Sequence, residues 1–323
     1  MTMNRRRLLA AACAGLAAPL TLRAQDKPVI RILVGLPPGG GTDAIARVIA
    51  DRLPAELGQP VMIENKVGVG GRLAADALKA AAPDGLTYMI APNATPTFQM
   101  LVFGHQTKWD ILRDFAPVAG LAVYPLGMAV GPQTGATNVR EFVAWVQKHP
   151  EATFGTPGLG GQNHFLGVAF AKAAGIQLPV VPYKGTPPLI TDLVGGHVPA
   201  AVTLMDEMLK FHRSGQVRVI GLFTEKRSEL MPDIPTMAEQ GVPVTSGEAW
   251  TAMWAPAKTP RGEIERVQRA VQKLLATPEV GQAFTQRLMV SPRYMNDQEV
   301  AQRQRKELAV WKPVIEASGF KPE

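Results

Sequence analysis

The hydrophobic pattern begins with a short apolar run that stops at two prolines and three glycines and then resumes with helical spacing. Residues 32–47 therefore predict a strand, a tight loop at 37–41 and an amphipathic helix. Thr42 or Asp43 is the expected cap of this helix. Because the loop lacks bulky side chains beyond its prolines, main-chain N–H groups at the helix N-terminus can bind an anion without Lys or Arg. The pattern therefore predicts an anionic ligand here.

The same alternation of strands and helices continues at the spacing of a parallel sheet covered by helices. Ligands of such sheets bind at the carboxyl ends of the strands. Tyr124 and Pro125 are expected to separate two strands, after which the pattern restarts and includes a second glycine loop at 156–161. The predicted strands are 61–64, 86–91, 114–123, 126–130, 153–155, 180–181, 200–204, 217–223 and 250–255, and the predicted helices are 72–82, 139–148, 164–174, 187–194, 206–213, 260–275 and 297–315.

This restart predicts two α/β lobes. A chain of 323 residues exceeds one typical core, and the sequence pattern turns back near Glu248. We expect residues 25–124 and 248–323 to form the first lobe, and residues 125–247 to form the second.

The first 24 residues are typical of an export signal and belong to neither lobe. A basic segment at 4–7 precedes an apolar segment at 8–20, and cleavage is expected after Ala24. The apolar segment is too short, and too interrupted by Pro19, to span a bilayer. The consecutive arginines leave both a Sec and a twin-arginine signal open. Cys13 lies inside this segment, so lipidation there is a further alternative.

Charge and cysteine content exclude several classes of function. Cys13 is the only cysteine, so the mature chain has no disulfide, thiolate nucleophile or cysteine metal site. The formal charge of +7 falls to +3 without the four arginines of the export segment, which gives no case for nucleic acid binding. The remaining histidines show no metal-ligand spacing, and no serine has the G-x-S-x-G context of a hydrolase. These histidines are His105, His149, His197 and His212; His164 is a candidate ligand-binding residue and is treated below.

Eight segments of the chain carry a family pattern: PPGGGTDAIAR (37–47), LGQPVMIENKVGVGG (57–71), APDGLTYMI (82–90), DILRDFAPVA (110–119), FGTPGLGGQNHF (154–165), VPYKGTPPLITDLVGGHV (181–198), MPDIPTMAEQGVP (231–243) and WAPAKTP (254–260). In this order they resemble the substrate-binding proteins of tripartite tricarboxylate transporters, also called the Bug or TctC family. The resemblance covers essentially the whole mature chain.

The resemblance implies a periplasmic α/β protein of the two-lobe, type II-like, Venus-flytrap class, with a hinge of two crossover segments. Such a protein closes on a small carboxylate and delivers it to the permease subunits of a membrane transporter. The ligand would lie between the loop at 36–42 and the loop at 156–164. The chain departs from the family pattern at Leu36, at 93–96 and at 204–207, where the family usually has an asparagine.

Pattern and resemblance together give one set of candidate ligand-binding residues. We expect no catalytic residue, no cofactor and no metal, and we expect a monomer that binds no nucleic acid. The candidate residues are Leu36, Pro38, Gly39, Gly40, Gly41, Thr42, Asn93, Thr95, Thr156, Gly158, Gly160, Gly161, His164, Tyr183, Lys184 and Asp206.

Three of these candidates have a second interpretation. His164 either hydrogen-bonds the ligand or caps and packs its helix. Lys184, beside Tyr183, either stands at the rim of the cleft or is a solvated loop residue. Asp206 either selects an amine or hydroxyl of the ligand or caps a surface helix.

A different function competes with solute binding. Gly39-x-Gly41-x-x-Ala44 follows a predicted strand as in dinucleotide-binding proteins, and Glu64 ends the next strand near the position of the acidic residue that binds the ribose. The alternative is therefore an exported nicotinamide-dependent oxidoreductase. A phosphate-binding loop of the nucleotidase type is excluded because no lysine follows the glycines. The leading prediction is a solute-binding protein without chemistry of its own.

Overall fold

The computed structural model describes residues 27–288 and 290–321. The predicted export segment 1–24, with Cys13, lies outside the described residues. The strands are β1 (Ile30–Val34), β2 (Val61–Asn65), β3 (Thr87–Pro92), β4 (Phe115–Val130), β5 (Phe154–Thr156), β6 (Val180–Pro182), β7 (Ala200–Leu204), β8 (Arg218–Leu222), β9 (Glu248–Pro256) and β10 (Ser291–Met295). The helices are α1 (Gly41–Ala50), α2 (Leu53–Leu57), α3 (Arg72–Ala80), α4 (Gln99–Phe103), α5 (Ile111–Asp114), α6 (Val139–Lys148), α7 (Gln162–Ala174), α8 (Thr186–Val194), α9 (Met205–Arg213), α10 (Arg261–Leu275), α11 (Pro278–Gln282) and α12 (Asp297–Ser318).

The strands of the described residues form one hydrogen-bonded sheet in the order β2-β1-β3-β9-β4-β7-β5-β6, with β8 and β10 also paired to β4. β1 pairs in parallel with β2 and β3, and β5 pairs in parallel with β6 and β7. The predicted parallel pairing is thus confirmed for these strands, whereas β9 pairs antiparallel with β3 and β4, and β4 also pairs antiparallel with β7, β8 and β10. Parallel pairing brings the loops that follow β1 and β3 to one sheet edge, and it does the same for the loops that follow β5 and β7.

The prediction of two strands broken at Tyr124 and Pro125 is wrong, because the single strand β4 passes through both residues. Both pair with β9. Pro125 has no N–H to donate, but the next amide, that of Leu126, donates to the Gly247 carbonyl at 2.7 Å. The strand therefore continues across the proline, although proline breaks most strands.

The partners of β4 change at this same point. Residues of β4 up to Pro125 pair with β9 and β10, whereas residues from Leu126 onward pair with β7 and β8. Strands β1, β2, β3, β9 and β10 therefore lie on one side of Pro125 in the sheet, and β5 to β8 lie on the other. β4 itself is one of the chain segments that join the two groups.

Several element boundaries also differ from prediction. Neither Thr42 nor Asp43 caps α1: Gly40 is its N-cap, and both side chains lie inside the helix. α10 starts one residue after Pro260, which is its N-cap. β10 escaped prediction because SPRYM has a proline and an arginine instead of an apolar alternation.

A close approach of two glycines fixes the first loop against its neighbours. A Cβ on Gly35 would lie 2.6 Å from the Cα of Gly71, and a Cβ on Gly71 would lie 2.6 Å from Thr95 Oγ1. Contacts this short need glycine at both positions. They pack the end of β1, the glycine junction before α3 and the turn after β3 into one unit.

Candidate functional site

The loop after β1 is held by Asp43, which is fully buried in the first turn of α1. Its carboxylate accepts hydrogen bonds from the Gly39 N–H at 2.9 Å and from Arg47 Nε at 2.7 Å. Asn65 donates to the same carboxylate and to the Leu36 carbonyl. Burial pushes the pKa of Asp43 upward, but the hydrogen bonds from Arg47, Asn65 and Gly39 outweigh it and lower the pKa below its usual value. Asp43 is thus an ionised support for the loop.

The amides at the start of α1 remain open. Gly40 N–H donates to the Pro37 carbonyl at 3.2 Å. The N–H groups of Gly41 and Thr42, by contrast, donate to no other residue in the described part of the chain. A Cβ built on Gly41 meets no other part of the protein within 4 Å, so there is room for a ligand atom beside this glycine. Unpaired N–H groups and the helix dipole together favour an anion at this point.

The loop after β5 has a similar arrangement. Gly161 is the N-cap of α7, and a Cβ built on Gly161 or on Gly158 meets nothing within 4 Å. The N–H of Gly160 is not available to a ligand, because it donates to Nδ1 of His164 at 3.3 Å. The open amides of this loop therefore lie on either side of Gly160.

His164 packs against two aromatic rings in this structure and does not cap α7, whose N-cap is Gly161. Its ring lies 4.8 Å from that of Phe165 and 5.1 Å from that of Phe320, between centroids, and the residue is 4% exposed. Burial lowers the pKa of His164, so the ring is neutral near pH 7 and its Nδ1 can accept from Gly160. His164 shapes the second loop through that hydrogen bond.

The loops after β3 and β5 meet through a buried amide pair. Asn93 Nδ2 donates to Gln162 Oε1 at 3.0 Å, and Gln162 Nε2 donates to the Ser246 carbonyl at 2.7 Å. Asn93 is 1% exposed and Gln162 is 3% exposed. The sequence did not single out Gln162, although it lies within the FGTPGLGGQNHF segment. The segment at 93–96, where the chain departs from the family pattern, leads into a helical turn, Ala94–Phe98.

Glu307 of α12 completes this polar cluster and was also missed. Its carboxylate accepts from Trp250 Nε1 at 2.5 Å and from Asn93 Nδ2 at 3.3 Å. Burial raises the pKa of Glu307 to about 7, although Trp250, Arg303 and Asn93 pull it down. A readable signal was present: Glu307 lies on the buried stripe of α12 that also carries Val300 and Trp311. A charged residue on such a stripe needs partners.

Replacing Glu307 with glutamine should change how the free energy of unfolding depends on pH. The pKa of Glu307 is raised from 4.5 to about 7 on folding, so its protonated form stabilises the fold at low pH and that stability is lost as pH rises toward 7. Glutamine cannot ionise. The unfolding free energy of Glu307→Gln relative to the parent should therefore rise by roughly 2–3 kcal/mol between pH 4.5 and 8.

Denaturant melts across this pH range measure the difference, and Glu316→Gln, an exposed glutamate of the same helix, is the control for loss of one charge. A constant difference between Glu307→Gln and the parent would contradict the prediction.

The hydroxyl groups of two other candidate residues, Thr95 and Tyr183, are already hydrogen-bonded within the protein. Thr95 Oγ1 donates to the Gly70 carbonyl at 3.0 Å, and Tyr183 OH donates to Asp192 Oδ2 at 2.9 Å. Lys184 is exposed, and Leu36 and Pro38 are at least partly exposed. The structure therefore does not bring the Tyr183 hydroxyl or the Thr95 hydroxyl to an open position. The Thr95 hydroxyl instead joins the turn after β3 to the glycine junction before α3, and the Tyr183 hydroxyl joins the end of β6 to α8.

Two candidates do leave buried oxygens without a partner. Thr156 is fully buried at the end of β5, and neither its Oγ1 nor Oδ1 of Asp206 has a hydrogen-bond partner among the described residues. Burial, with a smaller effect of neighbouring Glu207, raises the pKa of Asp206 to about 7. The interpretation of Asp206 as a helix cap is wrong, because Leu204 is the N-cap of α9.

The described residues offer little support for a nucleotide site, a metal site or a membrane-spanning helix. Glu64, the candidate ribose ligand, is paired instead with Lys66 at 2.7 Å and Arg31 at 3.5 Å. In residues 27–288 and 290–321 no group of His, Cys, Asp and Glu side chains could hold a metal ion. No helix within these ranges is long and apolar enough to cross a membrane.

Comparisons with known proteins agree with this geometry. The sequence profile of the tripartite tricarboxylate transporter family receptor, TctC, matches residues 45–320. Protein BugT of Bordetella pertussis is 34% identical over 288 residues, covering 87% of this chain and 88% of BugT.

Two solved structures are also similar. MatC of Rhodopseudomonas palustris with bound malate has a TM-score of 0.74 at 28% identity, covering 90% of this chain and 99% of MatC. Rpa4515 of R. palustris with adipate has a TM-score of 0.79 at 27% identity, covering 93% of this chain and 100% of Rpa4515. The predicted fold class, an α/β binding protein of two lobes, is confirmed.

Proposed function

The chain belongs to the tripartite tricarboxylate transporter receptor family, and we propose that it captures a small carboxylate outside the cytoplasm and delivers it to the permease of such a transporter. The observation that carries this proposal is the pair of open glycine-lined helix N-termini at α1 and α7. Each supplies N–H donors and roughly half a positive charge. Solved relatives hold malate and adipate, which are both dicarboxylates.

We propose that the protein closes around the ligand by bringing the two strand groups of the sheet together. We propose residues 25–124 and 248–323 as one lobe and 125–247 as the other, joined at β4 and near Glu248. The change of β4 partners at Pro125 supports this division. The Asn93–Gln162 hydrogen bond would then join the lobes when they close, and opening would occur by a hinge motion.

The site residues in this proposal are those with open or unpartnered polar atoms. The N–H groups of Gly41 and Thr42 would bind one end of the ligand, and the amides around Gly161 would bind the other. Gly39 and Gly40 shape the first loop. Water would fill the remaining space, which would allow acids of several lengths to bind.

Family members are periplasmic receptors. We propose that residues 1–24 direct export by either the Sec or the twin-arginine route and that the mature chain acts as a monomer. Its macromolecular partners would be the permease subunits of the transporter. Like the rest of the family, it would bind and release its ligand without chemistry.

Thermal melts against panels of carboxylates, amines, sugars and nucleotides test the proposal. A carboxylate at a hundred times its dissociation constant should stabilise the fold by about 2.7 kcal/mol, which raises the melting temperature measurably. A nicotinamide dinucleotide that shifts the melt while every carboxylate leaves it unchanged would instead favour the oxidoreductase.

A further inference from the structure

Asp206 lies at the same sheet edge as the second glycine loop. It is the second residue of α9, directly after β7, and β7 pairs in parallel with β5, which leads into the loop at 156–161. Carboxyl ends of neighbouring parallel strands face one side of the sheet. Leu204, at the end of β7, pairs with Leu126 of β4, next to the point where β4 joins the two strand groups. Asp206, two residues further along the chain, therefore lies near this junction.

The carboxyl group of Asp206 has an unsatisfied oxygen in that position. Its Oδ1 is buried and has no hydrogen-bond partner in residues 27–288 and 290–321. The nearby Tyr124 hydroxyl is already hydrogen-bonded to Thr251 Oγ1 at 2.8 Å. Burial and Glu207 raise the pKa of Asp206 to about 7, and the backbone N–H groups of Asp206 and Glu207 offset this only in part. A buried carboxylate oxygen without a partner is costly, so a bound ligand that supplies a donor to Oδ1 gains affinity.

A simple dicarboxylate leaves Oδ1 of Asp206 without a donor. Its two carboxylates would bind the amides of α1 and α7, and the rest of the molecule carries no N–H or O–H group. An ammonium group on the ligand would meet the opposite charge and would supply the missing donor. On the basis of the proposed function, we infer that Asp206 receives the ammonium group of an amine-bearing carboxylate and so selects for acids of the amino-acid class.

Ligands matched in carbon skeleton separate the contributions. Succinate, malate and aspartate share four carbons and two carboxylates and differ in one substituent, and glutarate and glutamate form a second set. Calorimetry on the parent protein should show an amine-bearing acid binding at least tenfold more tightly than its unsubstituted counterpart. Asp206→Asn should remove at least tenfold of affinity for the amine-bearing acid and should leave the unsubstituted acid bound equally or more tightly.

Glu207→Gln is the matched control, because it removes one negative charge from the adjacent, exposed position. It should not weaken the preference for the amine, because loss of the Glu207 charge can only favour the ionised form of Asp206. If the unsubstituted or the hydroxy acid binds the parent as tightly as the amine, or if Asp206→Asn weakens all ligands equally, Asp206 does not select an ammonium group. If no acid of either set binds while a nucleotide or sugar does, the proposed function itself fails.

A second measurement needs no variant. Because the pKa values of Asp206 and Glu307 are both about 7, matched acids must be compared: the amine-bearing acid should release more protons on binding at pH 7 than its unsubstituted counterpart. Titrations in two buffers of different ionisation enthalpy give the number of protons exchanged. Equal proton exchange with the two acids would overturn the inference even if Asp206→Asn does not fold.

Discussion

Gly41→Val is expected to reduce carboxylate affinity by about a hundredfold while the protein still folds. The new side chain would point into open space in front of α1, because a Cβ at this position meets nothing within 4 Å. It would cover the open N–H groups of Gly41 and Thr42. Losing one or two hydrogen bonds to a charged ligand costs about 2–3 kcal/mol, which corresponds to about a hundredfold in affinity. Gly161→Val should act in the same way on the second loop.

Calorimetry with the best carboxylate from the panel measures the loss, and a melt without ligand measures folding. Gly262→Val is the matched control: Gly262 lies in the first turn of α10, and a Cβ there also meets nothing within 4 Å. It should keep full affinity. If Gly41→Val binds as tightly as the Gly262 variant, the loop after β1 is only a structural turn.

Trp250→Ala is expected to cost about 3–5 kcal/mol of unfolding free energy, the usual range for deleting a buried tryptophan. Trp250 is fully buried on β9, and its indole N–H donates to Glu307. The alanine variant therefore creates a cavity and also leaves the buried Glu307 carboxylate without its shortest hydrogen bond. Denaturant unfolding near pH 7 gives the value.

Phenylalanine variants separate these two effects. Trp254 is also fully buried on β9, but its indole nitrogen has no hydrogen-bond partner among the described residues. Trp250→Phe should therefore destabilise the protein by about 1–3 kcal/mol more than Trp254→Phe. Equal costs for the two would mean that the Trp250–Glu307 hydrogen bond contributes nothing to stability.

The sequence was sufficient for the framework of the protein. Helix α6 (Val139–Lys148) and strand β7 (Ala200–Leu204) were predicted with their observed bounds. Apolar spacing and flanking turn residues mark both elements clearly. β4 was predicted as two strands, since a proline usually ends one. The strand continues because β9, a distant segment of the chain, pairs with it through Pro125, and this pairing cannot be read from the local sequence.

Side-chain roles were harder to predict than the loops that carry them. Glycines near 39–41 and 158–161 marked both loops, because glycine is the residue that allows unusual backbone angles and close approach of a ligand to the main chain. The side chains of Tyr183 and His164, however, are engaged by neighbours in the same strand group. Tyr183 donates a hydrogen bond to Asp192, and His164 accepts one from the Gly160 N–H. Glu307 lies more than two hundred positions from Asn93 along the chain, and its hydrogen bond to that residue depends on how α12 packs.

The central claim is that main-chain amides at the N-termini of α1 and α7 hold the carboxylate. Two-dimensional nitrogen–proton spectra of protein labelled with ¹⁵N only at glycine test it directly, with Gly41 and Gly161 assigned from the peaks lost in their alanine variants. Adding the best carboxylate should move both peaks and leave those of Gly135 and Gly215 in place. If the ligand raises the melting temperature but neither the Gly41 nor the Gly161 peak moves, the carboxylate is held elsewhere and the account is contradicted.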